Sequence, residues 1–140
     1  MKQVIDTLII RTPGPGLMDI DRHVRVWLAR QTISDGLLTL LIQHTSASLT
    51  IQENADPAVL QDLQDAVAGL APHGGRELYR HASEGPDDMA AHIRTVLSGV
   101  HLAIPVQDAR LMLGTWQGIY LWEHRDRGRE RRIAMQLMGG

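Results

Sequence analysis

Side chains able to do chemistry are densest between His81 and His92, in the run His81-Ala82-Ser83-Glu84-Gly85-Pro86-Asp87-Asp88-Met89-Ala90-Ala91-His92. Two histidines and three carboxylates fall within it. Imidazole nitrogen and carboxylate oxygen hold divalent cations, and both also move protons. Gly85-Pro86 interrupts the chain. A helix is expected directly after it, with Asp87 or Asp88 as N-cap and Ala90, Ala91, Ile93, Val96 and Leu97 following. Asp88 and His92 are then four residues apart on one helical face. His81 and Glu84 belong to the loop leading in. A metal or acid–base site fits this spacing. So does a solvated capping loop, since no zinc motif such as H-E-x-x-H is present.

The 140 residues suit one domain, 1–140, with one sizeable core. A hydrophobic fraction of 44% and a charged fraction of 21% are ordinary for a soluble globular chain. A net charge of -2 gives no electrostatic case for nucleic acid or an anionic membrane. With no cysteine, any metal must be held by histidine, carboxylate, carbonyl or water. Met1 to Asp6 shows no long apolar run before its first charges, so no signal peptide is expected. No stretch reaches membrane-spanning length without a charge. The expectation is a soluble, cytoplasmic protein with neither nucleic-acid nor membrane partners.

Several elements must position these residues. Val4 to Arg11 reads as a strand, and Thr12 to Gly16 as a loop. Asp21 to Ala29 alternates His23 and Arg25 with Val24, Val26 and Leu28, which predicts a half-buried strand. Leu37 to Ile42 is almost wholly apolar, which predicts a central strand covered on both faces. Leu49 to Gln52 continues as strand. Asp56 and Pro57 open a helix with a stripe of Val59, Leu60, Leu63, Ala66, Val67 and Leu70. The second helix ends at Ser98-Gly99. Val100 to Val106, Leu111 to Glu123 and Arg132 to Leu137 read as further strands, with Arg125 to Arg132 a charged hairpin loop. This order argues for α+β with antiparallel sheet.

Three stretches keep a common order: His44-Thr45-Ser46-Ala47-Ser48-Leu49 with Glu53-Asn54-Ala55-Asp56-Pro57; Glu84-Gly85-Pro86-Asp87-Asp88-Met89-Ala90-Ala91-His92; and Leu113-Gly114-Thr115-Trp116-Gln117-Gly118-Ile119. Together they resemble the YjbQ family, small bacterial and archaeal proteins also labelled secondary thiamine-phosphate synthase. The likeness covers nearly the whole chain. It implies a seven-stranded antiparallel β-sandwich with two helices, packed as a homotrimer. It also implies thiamine-phosphate synthase activity, a transferase reaction joining a pyrimidine diphosphate to a thiazole phosphate with loss of diphosphate. The dedicated enzyme for that reaction is a TIM barrel, a fold of roughly 250 residues. The activity here would therefore be convergent or secondary.

His44 ends a buried-looking strand and precedes hydroxyls, which suits a metal ligand or acid–base group at a rigid sheet edge. A histidine bonded to neighbouring backbone has the same signature. His81, Asp88 and His92 match positions that are polar in the family. With His44 they make a three-histidine or two-histidine, one-carboxylate set, so His44, His81, His92 and Asp88 are the expected catalytic group. His44, His81 and His92 are the expected ligands of zinc or magnesium. Thr45, Ser46, Asn54, Gln117 and Arg132 are the expected contacts to a phosphorylated substrate, with Arg131 beside them. Ser46 lacks the G-x-S-x-G turn of a nucleophile. His23, His73 and His101 read as surface or packing residues, and His124 carries no expected role. Two classes remain open: an enzyme acting on a phosphorylated small molecule, as synthase or hydrolase, or a small-molecule or metal-binding module without turnover.

Overall fold

The computed structural model describes residues 1–140. Its elements are β1 (Lys2–Arg11), β2 (Gly16–Asp19), α1 (Asp21–Ala29), β3 (Gly36–Ile42), β4 (Ala47–Glu53), α2 (Pro57–Leu70), α3 (Asp88–Ser98), β5 (His101–Gln107), β6 (Arg110–Leu111), β7 (Gln117–Glu123) and β8 (Glu130–Gly139). The class is α+β. A five-stranded sheet runs β1-β8-β3-β5-β6 and a three-stranded sheet runs β2-β7-β4. Every strand pairing is antiparallel. The inner faces of both sheets contribute to one core, which includes Leu38, Leu40, Ile133 and Met135 from the first and Leu49, Ile119 and Leu121 from the second. Each such side chain stabilises the fold by about 1.5–3 kcal/mol on burial.

Eight strands and three helices replace the seven and two implied by the resemblance. The added helix is α1, expected as a strand. Ile20, Val24, Trp27 and Leu28 are buried at helical spacing, while Val26 is exposed. Alternation of Val24, Val26 and Leu28 disguised this period. The Asp19 carboxylate accepts from the Asp21 N–H (2.8 Å), which satisfies a donor at the helix start. α2 begins as expected, with Asp56 Oδ1 accepting from Ala58 N at 2.9 Å and Pro57 in the first turn. Its stripe stops at Val67, since Ala66 and Leu70 are exposed.

β3 is central within its sheet, but only one of its faces is covered. Leu38, Leu40 and Ile42 are buried, whereas Leu37 and Leu41 stand open on the outer face. The expected hairpin at 125–132 is also absent. β7 and β8 lie in different sheets, and the segment between them crosses from one to the other. The crossing hugs the β1–β2 loop so closely that a Cβ on Gly128 would meet the Thr12 carbonyl oxygen at 2.0 Å.

A buried ion pair anchors that crossing. Arg131 Nε donates to Glu123 Oε1 at 2.8 Å, and a second guanidinium nitrogen donates to Glu123 Oε2. Thr12 Oγ1 also donates to Glu123 Oε1 (2.7 Å). Arg131 further reaches the Ser46 carbonyl at 3.1 Å and the Ser46 hydroxyl at 3.0 Å. Burial alone would raise the Glu123 carboxyl, but bonds from Arg131 and Thr12 outweigh it and hold it below the usual carboxylate value.

Removing one partner of this pair strands the other charge in the core. Glu123→Gln is expected to destabilise the fold by about 3–5 kcal/mol at neutral pH, read by urea unfolding. The depressed carboxyl stabilises the wild type fully above pH 4.5 and progressively less as pH falls below it, so the variant should flatten that acid limb. A change under about 1 kcal/mol, the size of a surface pair, would show that the pair does not anchor the crossing.

Candidate functional site

The first turn of α3, the loop before it and the crossing segment meet at one acidic pair. Asp88 is buried, and its Oδ2 lies 2.7 Å from His81 Nε2 and 3.1 Å from His92 Nε2. These three ligand-type atoms lie within 4.8 Å of one another. Asp88 and His92 share a helical face, as their spacing requires. Burial would raise the Asp88 carboxyl, but the His81 bond, then the charges of His92 and Arg125, hold it below its ordinary value.

Arg125 orients the acids. Its Nη1 donates to Asp88 Oδ1 (2.9 Å), its Nε to Asp87 Oδ2 (2.8 Å), and its Nη2 to the Glu84 carbonyl (2.9 Å). Asp88 therefore turns its other oxygen toward the histidines. Asp87 stands at the helix N-cap without capping it, since its carboxylate is held by Arg125 and the Asp126 N–H. Burial pushes the Asp87 carboxyl up, but these bonds win and bring it down to about 2.

His92 has one further partner. Its Nδ1 lies 2.8 Å from the Thr45 carbonyl oxygen, which can only accept. Nδ1 therefore carries a proton, and Nε2 is the ring nitrogen turned toward Asp88 Oδ2. Two lone pairs facing each other at 3.1 Å are stable only with a proton or a cation between them. Nearest-neighbour bonds of about 2.0–2.1 Å place tetrahedral zinc ligands roughly 3.3–3.4 Å apart, so each histidine nitrogen would move a few tenths of an ångström away from Asp88 Oδ2 to admit the ion.

His44 stands outside this group. Its Nε2 accepts from the Arg132 N–H at 2.9 Å, so that lone pair is taken. Burial, then the charge of Arg131, lowers its pKa and keeps the ring neutral. Its neighbour Thr45 meets the site through its carbonyl, and Ser46 faces Arg131. Asn54 and Gln117 lie at the far end of the three-stranded sheet, where Asn54 donates to the Thr115 carbonyl and Gln117 Oε1 accepts from Gly114 N. Arg132 contributes its backbone to His44, and its side chain is exposed on the outer face.

Sequence reasoning missed Arg125 and Glu123, which it placed in a charged loop and at a strand end, and it gave His124 no role. His124 is fully buried, with Nε2 2.8 Å from Ser48 Oγ and Nδ1 without a partner. Burial, then the charge of Arg94, depresses its pKa to about 3. Unbroken burial along β7 is the trace it leaves in sequence, since Ile119 to Trp122 are all apolar.

A family model for UPF0047, YjbQ-like, matches residues 6–140. The chain belongs to the UPF0047 family of YjbQ-like proteins. A UPF0047 protein of Synechocystis is 45% identical over 138 residues, 99% of this chain and 93% of its own. The YjbQ protein of Escherichia coli O157:H7 is 48% identical over 107 residues, 76% of each chain. Among solved structures, a conserved hypothetical protein from Thermus thermophilus is 38% identical with a TM-score of 0.83, covering 95% of this chain and 99% of that one. A YjbQ/UPF0047 protein from Clostridium acetobutylicum is 33% identical with a TM-score of 0.85 over 95% and 99%.

The buried His124 ring has a measurable consequence. Its folded pKa lies below the ordinary 6.5, so its neutral form stabilises the protein above that value, and stability falls as the unfolded ring protonates below it. Between pH 7 and pH 5 this ring alone should remove about 2 kcal/mol. Urea unfolding of wild type and His124→Gln at both pH values checks this, and an equal pH-dependent loss in both would refute it.

Proposed function

We propose that the protein is a metal-dependent enzyme in which His81 Nε2, Asp88 Oδ2 and His92 Nε2 hold one divalent cation. The observation carrying this reading is the His92 ring, which the Thr45 carbonyl holds through Nδ1 so that Nε2 faces the Asp88 oxygen already shared with His81. Two imidazoles and one carboxylate suit zinc better than magnesium, which favours oxygen donors. Bound there with open positions, such an ion supplies Lewis acidity toward a phosphoryl or carbonyl oxygen. Arg125 keeps Asp88 oriented, and Thr45 keeps the His92 proton on Nδ1.

The substrate class is a phosphorylated small molecule. Support comes from a polar cleft of about 480 Å³ beside Asp87, lined by Glu84, Arg125, Asp126, Arg127 and Arg129. The reaction to assay first is the one that the family resemblance implies. In it a thiazole nitrogen attacks the pyrimidine methylene carbon, and the carbon–oxygen bond to diphosphate breaks. Hydrolysis of a phosphorylated small molecule is the second reading, since the same cation can act on water.

Elemental analysis of protein purified without a metal-affinity tag tests the site. Wild type is expected to carry close to one zinc per chain, and His92→Ala to lose both metal and diphosphate release. Ser46→Ala should keep the metal and most of the activity. Full activity of His92→Ala in chelator, beside an inactive Ser46→Ala, would place the chemistry elsewhere.

We also propose that the protein assembles as a homotrimer, as the resemblance implies. Ile5, Ile9, Leu37, Leu41 and Met138 stand open on the outer face of the five-stranded sheet, interspersed with Arg132 and Gln136, which supports burial against another copy. Light scattering at micromolar concentration should give three times the chain mass. A monomer mass would remove this assignment.

A further inference from the structure

A second cleft lies between α1 and the edge of the five-stranded sheet, sharing no residue with the His81–Asp88–His92 group. Its volume is about 410 Å³, within the usual range for small-molecule sites. Leu8, Val26, Trp27 and Met135 form its apolar lining. Arg22 and His23 come from the same helix as Trp27, Arg30 is its C-cap residue, and all three stand around the cleft.

The polar groups of this cleft are unequally satisfied. Asp6 is engaged, since its Oδ2 accepts from Trp27 Nε1 at 2.8 Å and its Oδ1 from Thr7 N at 2.8 Å. The Asp6 bond fixes the indole edge, and Trp27, buried in the core, presents only the rim of its ring to the cleft. Arg22 and Arg30 enter none of the chain's ion pairs and no side-chain hydrogen bond. They are two helical turns apart, about 12 Å along the axis, and bracket the cleft from both ends. Guanidinium groups recognise carboxylate and phosphate through paired N–H donors.

We propose that this cleft binds a planar aromatic molecule bearing one anionic group, with the ring against Leu8, Val26 and the exposed rim of Trp27 and the anion drawn to Arg22 and Arg30. Carboxylate and phosphate share the chemistry, and 2-naphthoate and 2-naphthyl phosphate serve as the two probes. The readout is the Trp27 indole N–H resonance in a proton–nitrogen spectrum, identified by its loss in Trp27→Phe. The chain's three tryptophans give an internal control in Trp116 and Trp122.

The expected result is a saturable shift of the Trp27 resonance with at least one probe, the other two unmoved. The Arg22→Ala/Arg30→Ala double variant should weaken binding tenfold or more, and neutral 2-naphthalenemethanol should bind correspondingly weakly to wild type. The stronger of the two anions identifies the group recognised. No shift at millimolar probe overturns the proposal, as does a shift that survives the double substitution undiminished. A drop in assembly mass for Arg22→Glu would overturn it too, by showing that a second copy covers the cleft.

Discussion

The buried pair of Glu123 and Arg131 is the constraint on which the remainder depends. It joins the last residue of one sheet to a strand of the other, where the chain leaves the first and enters the second. Its remaining hydrogen-bonding capacity is distributed to Thr12 on one side and Ser46 on the other. Two charges at 0% and 2% exposure are tolerable only because each finds several partners. The pair thereby fixes the segment carrying Thr45, whose carbonyl orients His92. The site's geometry is set from beneath, by electrostatics in a part of the molecule that no substrate reaches.

Around that anchor the acids divide their work. Asp87 and Asp88 are adjacent, yet only Asp88 faces the histidines. Arg125 produces the difference by binding one oxygen of each carboxylate with a separate nitrogen, which leaves Asp88 Oδ2 to the histidines. A single planar cation bridging the loop, the helix start and the crossing segment gives the site rigidity that the loop sequence alone lacks.

Much of this was legible in the residues. Asp56-Pro57 opens a helix because a side-chain acceptor and a fixed φ suit its first turn, and the structure shows both. Asp88 and His92 meet because helical geometry places residues four apart on one face. What the sequence withheld was longer in range. α1 hid behind alternating valines, whose burial only the neighbouring sheet could decide. Arg131 looked like one of a solvated run because its partner lies across a sheet boundary. His44 and His92 could not be separated by type, and the difference is that a strand N–H occupies the nitrogen of the first. Leu37 and Leu41 read as core because an apolar run does not say which face is covered.

The pairing of β1 with β8 has a kinetic meaning. β1 lies beside no other strand, and Gln3 meets Gln136 across 133 positions of chain. Contacts of such separation close large loops before they bring any reward, so this sheet belongs to the slow-folding topologies. On a ribosome the β1 segment must wait until β8 emerges, with Ile5, Ile9 and Ile10 lacking their partners. Lys2, Asp6 and Arg11 punctuate that apolar stretch with charge, which suppresses association of nascent chains during the interval. Lys2 and Arg11, whose side chains pair with nothing in the finished sheet, thus guard the unfinished one, and Asp6 does so before it takes up Trp27.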